Sequence, residues 1–70
     1  MKYREAARKL SKLGCREIAR RGSGSHRKWF NPQTQRHAVL PDWGGRDLKV
    51  GTVRSAVNQL GLNWNEFQEM

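Results

Sequence analysis

The chain is poor in the residues that most cofactor and metal sites need. Its 70 residues hold one cysteine, Cys15, and two histidines, His26 and His37. A single cysteine excludes an intrachain disulfide and fits a reducing, cytoplasmic setting. Cys15 follows Gly14 and has no histidine near it in sequence. It reads as a small buried apolar residue rather than a nucleophile. Two histidines and one cysteine give no metal-ligand spacing, so no metal is expected. There is no Walker loop, and Gly22-Ser23-Gly24 lacks the third glycine of a dinucleotide fingerprint, so no cofactor is expected. No apolar run reaches the length of a membrane span or a signal h-region. A chain this short makes one domain, 1–70, and buries only about 60% of its unfolded surface.

Acidic residues are scarce too. Six Asp and Glu stand against 14 Lys and Arg, a formal net charge of +8. The excess is one-sided. Residues 1–41 carry eleven cations and two anions, a net of +9, while residues 42–70 carry three cations and four anions, a net of −1. A merely solvated surface explains a modest excess of one sign. A basic front half points to a polyanionic partner.

Tyr3, Ala6, Ala7, Leu10 and Leu13 fall at helical spacing with cations opposite, which predicts a helix over Tyr3–Leu13. Gly14 is placed to stop it. Arg16–Arg21 reads as a short edge strand and Gly22–Ser25 as a turn. His26–Phe30 is a second strand, Asn31–Gln35 a hairpin loop, and Arg36–Leu40 a third strand ended by Pro41. Val53, Ala56, Val57 and Leu60 repeat at i, i+3, i+4, i+7, a second amphipathic helix closed by Gly61. Asn63 with Glu66 three residues later resembles a capping arrangement that starts a short helix through Phe67. The order is α-β-β-β-α with a helical tail, an α+β two-layer domain with helices on one face of a small antiparallel sheet.

The candidate chemistry lies in Gly22-Ser23-Gly24-Ser25-His26-Arg27-Lys28-Trp29. Glycines allow positive φ and close backbone approach, and successive amides in such a turn can cradle an anion. Histidine both accepts and donates a proton near neutral pH. Arginine and lysine hold phosphate, and tryptophan stacks on a base. His26 could take the proton of a ribose 2′-OH, letting that oxygen attack the adjacent phosphodiester. Arg20, Arg21, Arg27 and Lys28 are near enough in sequence to stabilise the charge that builds on phosphorus. Simple contact with phosphate or solvent is the commoner use of a histidine in a charged turn, and composition alone favours it.

His37 invites a two-histidine scheme. Pairing Phe30 with Arg36 would put His26 and His37 on opposite faces of the sheet, whereas a one-residue change of register would reverse this. His37 is therefore read as a surface or RNA-contacting residue. Core packing is the commoner role for Trp29, Trp43 and Trp64; Trp29 is the best stacking candidate. Lys49 and Thr52 flank Gly51 at the start of the second helix, where free amides favour an anion, with capping by Asp47 or Thr52 an equal alternative.

Several segments together carry a family resemblance: Leu13-Gly14-Cys15, Gly24-Ser25-His26-Arg27-Lys28-Trp29, Asn31-Pro32, Val39-Leu40-Pro41-Asp42-Trp43-Gly44 and Asp47-Leu48-Lys49-Val50-Gly51-Thr52-Val53-Arg54. In order and without large gaps, they resemble the HicA toxins of bacterial toxin–antitoxin pairs. The resemblance implies a double-stranded-RNA-binding-domain-like fold and an mRNA interferase, an endoribonuclease that blocks translation. The family's catalytic histidine falls on His26, and its preceding glycine and serine on Gly24 and Ser25. A HicB-type antitoxin is implied as the partner that covers this site in a hetero-oligomer. The segment Gly22-Ser23-Gly24-Ser25 is longer than the single Gly-Ser of many members, which lengthens the turn before His26.

The reading is a metal-independent endoribonuclease. His26 is its general base, Arg27 and Lys28 stabilise phosphate charge, and Arg20, Arg21, Arg36 and Lys49 hold the RNA backbone. The main alternative is a non-catalytic double-stranded-RNA-binding module. A DNA-reading helix over Thr52–Leu60 is a weaker one, because that helix carries Arg54 as its one cation. A chain active only within a complex is a third.

Overall fold

The computed structural model describes residues 1–18 and 24–70. Helix α1 spans Tyr3–Lys12. Strands β1 (Arg16–Ile18), β2 (His26–Asn31) and β3 (Arg36–Pro41) follow, then α2 (Val50–Gln59) and α3 (Trp64–Glu69). The strands form one antiparallel sheet in the order β1-β2-β3. This is the α+β, double-stranded-RNA-binding-domain-like arrangement expected from the sequence, with a short extra C-terminal helix. The Arg16–Arg21 strand is seen as far as Ile18, and its remainder lies outside the described residues, as do Gly22 and Ser23 of the expected turn.

The helices cover one face of the sheet. Tyr3, Ala6 and Leu10 of α1 and Val53, Ala56 and Val57 of α2 pack with Trp29, Ala38 and Leu40 of the sheet. Phe67 of α3 and Leu60 are fully buried among them. Each such large side chain contributes about 1.5–3 kcal/mol by leaving water, which offsets the small size of the core. Cys15 is also buried. The expected cap of α3 is present: the Asn63 side chain accepts from the Glu66 N–H at 3.1 Å. Of the two readings of the first turn of α2, capping by Asp47 or Thr52 is not found. Lys49 stands at the N-cap with no side-chain bond, and the Asp47 carboxylate lies 3.7 Å from the terminal ammonium.

The β2–β3 hairpin corrects one sequence expectation. Phe30 pairs with His37, not Arg36, and Asn31 pairs with Arg36. The loop is thus one residue shorter than the Asn31–Gln35 stretch suggested, because Asn31 is drawn into β2. Its side chain is 1% exposed. Nδ2 donates to the Leu60 carbonyl at 2.8 Å, and Oδ1 accepts from the Gln33 N–H at 3.0 Å. The Thr34 hydroxyl donates to the same Leu60 carbonyl at 2.9 Å. An orphan carbonyl at the end of α2 is in this way satisfied by the hairpin, and the hairpin register is tied to the helix layer.

Candidate nucleic-acid interface

Side chains alternate along a strand, and directly opposed residues share a face. The register therefore sorts β2 into two sets. Arg27, Trp29 and Asn31 face the helices. His26, Lys28 and Phe30 face away, together with Arg16 and Ile18 of β1 and His37 and Val39 of β3. The expectation that His26 and His37 lie on opposite faces is overturned by the one-residue difference in register. They share the open face, but at opposite ends of β2. His26 pairs with Pro41, and His37 with Phe30 four residues further on, about 13 Å along the strand. One scissile phosphate is not within hydrogen-bond reach of both.

His26 is exposed and opens β2. The residues before it are positioned by backbone. Gly24 has φ +148°, a value that disfavours any side chain. The Ser25 carbonyl accepts from the Asp42 N–H, extending the β2–β3 ladder one step past His26. Asp42 also holds the loop that follows β3: its Oδ1 accepts from the Gly44 N–H at 3.0 Å. Trp43, between them, is 37% exposed, and the Arg46 guanidinium sits over its ring at 5.9 Å. An aromatic and a cation are thus held at the His26 end of the sheet.

Arg27 does something else. Its guanidinium donates to Glu17 at 3.1 Å and to Asp42 at 3.0 Å, and lies over the Tyr3 ring at 5.8 Å. Burial alone would lower its pKa; the Glu17 and Asp42 carboxylates overcome this and hold it above the ordinary arginine value. The Tyr3 hydroxyl donates to Glu17 and accepts from the Trp29 indole N–H at 3.1 Å. Burial, with the Glu17 hydrogen bond, pushes the Tyr3 pKa up. This network clamps α1, β1, β2 and the end of β3 together. Arg27, expected beside His26 as a phosphate ligand, lies on the opposite face with two carboxylates already paired to it. Trp29, the expected stacking residue, is 3% exposed; its ring is packed in the core and out of reach of a base.

The remaining candidates are dispersed. Lys28 is exposed on the same face as His26. Arg36 is exposed at the hairpin end, and Lys49 is exposed at the start of α2. Arg20 and Arg21 lie outside the described residues. A cleft of about 350 Å³ lined by Lys2, Arg4, Glu5 and Arg8 adds positive charge on α1, in the helix layer. Among the described residues, no three His, Cys, Asp or Glu side chains gather as a metal site would require. No helix is long and apolar enough to cross a membrane.

The run Arg27-Lys28-Trp29 is divided between the two faces, and the open face instead joins Lys28 with Phe30 and Arg16, which the sequence does not mark as a group. Counting every second residue from His26 would have found Lys28 and Phe30. The Phe30 and His37 rings stand 4.8 Å apart at 40°, and the Arg16 guanidinium lies 5.5 Å from the Phe30 ring.

The chain was compared with known proteins. The model of a family described as the HicA toxin of bacterial toxin–antitoxin pairs matches residues 3–62, from α1 to just beyond α2. No curated protein and no solved structure matches the chain.

Proposed function

This chain belongs to the HicA toxin family, and from that premise we propose that it is a metal-independent endoribonuclease that cuts mRNA with His26 as general base. Family membership makes it the toxin of a toxin–antitoxin pair; the reaction and its residues are our reading. The observation that carries it is the placement of His26: exposed, at the head of β2, and on one face with the Lys28 ammonium.

In this reading the His26 imidazole takes the proton of a ribose 2′-OH. The 2′ oxygen attacks the adjacent phosphorus, and the bond from phosphorus to the 5′ oxygen breaks. The products are a 2′,3′-cyclic phosphate and a free 5′-OH, whose proton comes from water or the imidazolium. Lys28 stabilises charge on the phosphorane, since Arg27 is paired with Glu17 and Asp42. Gly24 and Ser25 let the RNA backbone come close, while Arg36 at the hairpin end and Lys49 at the start of α2, both on the helix side, hold phosphates of a strand that passes the edge of the sheet. DNA lacks the 2′-OH and survives. The protein acts in the cytoplasm, and a HicB-type antitoxin forms a hetero-oligomer with it by covering this basic face.

The test is induced expression of wild type and His26→Ala at matched protein level, scored for growth arrest and RNA integrity. It is paired with cleavage by the purified proteins in the presence of a chelator. Wild type is expected to arrest growth and leave cyclic-phosphate ends with chelator present, and folded His26→Ala to do neither. Equal behaviour of the two proteins would leave a double-stranded-RNA-binding module as the better account.

A further inference from the structure

We propose that the open face carries a second RNA subsite, a base-stacking platform made by Arg16, Phe30 and His37, and that the substrate is therefore unpaired where it crosses the sheet. The proposal rests on the nuclease reading for the identity of the polymer, but not on the role of His26.

Three strands meet at this point. Phe30 of β2 has Arg16 opposite it on β1 and His37 opposite it on β3. The register alone puts the three side chains side by side. The side chains then touch: the imidazole is 4.8 Å from the phenyl ring and tilted 40° to it, and the guanidinium is 5.5 Å from the ring on the β1 side. Arg16 and His37 are exposed and Phe30 is half-buried, so the ring is anchored and its neighbours are free to be covered. An anchored aromatic flanked by planar groups is what a nucleobase stacks on without sequence preference.

The charge of the face selects the occupant. Among the described residues, none of the strand residues on it is acidic. Glu17 and Asp42, the nearest carboxylates in sequence, are held by Arg27 instead. Besides Ile18 and Val39, what remains is Arg16, Lys28 and two histidines around an aromatic, which suits a polyanion with flat apolar bases better than an acidic protein segment, which has the charge but not the bases. The platform is about 13 Å from His26, so a strand running along β2 would meet Lys28 between the two. In an A-form duplex the base faces are stacked inside the helix and cannot be presented to a side chain. A platform at this position therefore asks for single-stranded RNA, although the fold itself is of the kind that grips duplexes.

The experiment uses a short 2′-O-methyl RNA that cannot be cleaved, with 2-aminopurine as a reporter base whose emission falls on stacking. Wild type is expected to bind the single strand with quenching, and the matching duplex to compete poorly. Phe30→Leu keeps apolar packing but removes the ring. It is expected to weaken binding about tenfold and abolish the quench, with Phe30→Trp restoring both. The platform is overturned if Phe30→Leu, folded by circular dichroism, binds and quenches like wild type. It is equally overturned if the wild type binds no single strand, or if the duplex competes as well as the single strand. A Phe30→Leu variant that loses only antitoxin binding would reassign the face to protein docking and also overturn it. Failure of the nuclease reading is separate: wild type would quench as expected, yet His26→Ala would cut RNA as well as wild type.

Discussion

Asn31 is the residue on which the placement of His37 depends, and replacing it by Asp tests the hairpin register with a single atom. The amide is 1% exposed and donates to the Leu60 carbonyl at 2.8 Å. Aspartate keeps the shape and the acceptor for Gln33, but it presents an oxygen to that carbonyl. The new charge would be buried beside the C-terminal, negative end of α2. Losing a buried hydrogen bond costs about 1 kcal/mol, and stranding a charge adds more, so the total is about 3 kcal/mol or above. At about 0.05–0.15 kcal/mol per residue, a domain of this size has about 4–10 kcal/mol in all. The loss should depend on pH in a defined direction. Burial raises the carboxyl's pKa in the folded state above its unfolded value of about 3.9. The unfolded chain therefore releases its proton first. The variant approaches wild-type stability below that pH and loses it as pH rises through the folded pKa. Urea melts of both proteins at neutral and acidic pH measure the difference. Equal midpoints at pH 7, or a deficit that does not change with pH, would show that the amide does not hold Leu60 as described.

Four further outcomes follow from the same geometry. Lys28→Ala should leave the melting temperature unchanged and reduce the slope of log affinity for RNA against log salt by about 1. Arg27→Ala should instead lower the melting temperature and leave that slope alone, since its guanidinium is held by Glu17 and Asp42. Gly61→Ala should cost about 1–3 kcal/mol in chemical denaturation. Gly61 has φ +73°, and an added Cβ would lie 2.8 Å from the Thr34 methyl, which the Leu60 bond keeps in place. The Cys15 thiol has its pKa raised by burial, so a thiol reagent at neutral pH should react at the rate of global unfolding and rapidly in denaturant. A native rate equal to the denatured one would contradict its burial.

The elements were legible because their signals are local. The spacing of Tyr3, Ala6 and Leu10, the breaker at Pro32 and the Asn63–Glu66 pair each act within a few residues, and each is found where it was expected, whereas β3 runs one residue further than expected and includes Pro41. The face of each strand was not legible. That depends on whether Asn31 ends β2 or belongs to the loop, and the decision is made by Leu60, twenty-nine residues away. The role of Arg27 was hidden for the same reason. Its partners Glu17 and Asp42 lie ten and fifteen residues off, so the basic run Arg27-Lys28 looked like one site.

The division of β2 joins stability to the candidate chemistry. The same alternation that buries Trp29 and pairs Arg27 exposes His26 and Lys28 and leaves Phe30 half-buried on the open face. A slip of one residue would exchange the two sets. It would bring the Lys28 ammonium and the His26 imidazole against the apolar helix layer, where their desolvation is costly. It would also release Arg27 from both carboxylates and put Trp29 in water. The register is therefore held from both sides of the sheet. A substitution that loosens the Asn31–Leu60 tie should erode RNA contact and fold stability together, whereas one at His26 or Lys28 should affect only the former.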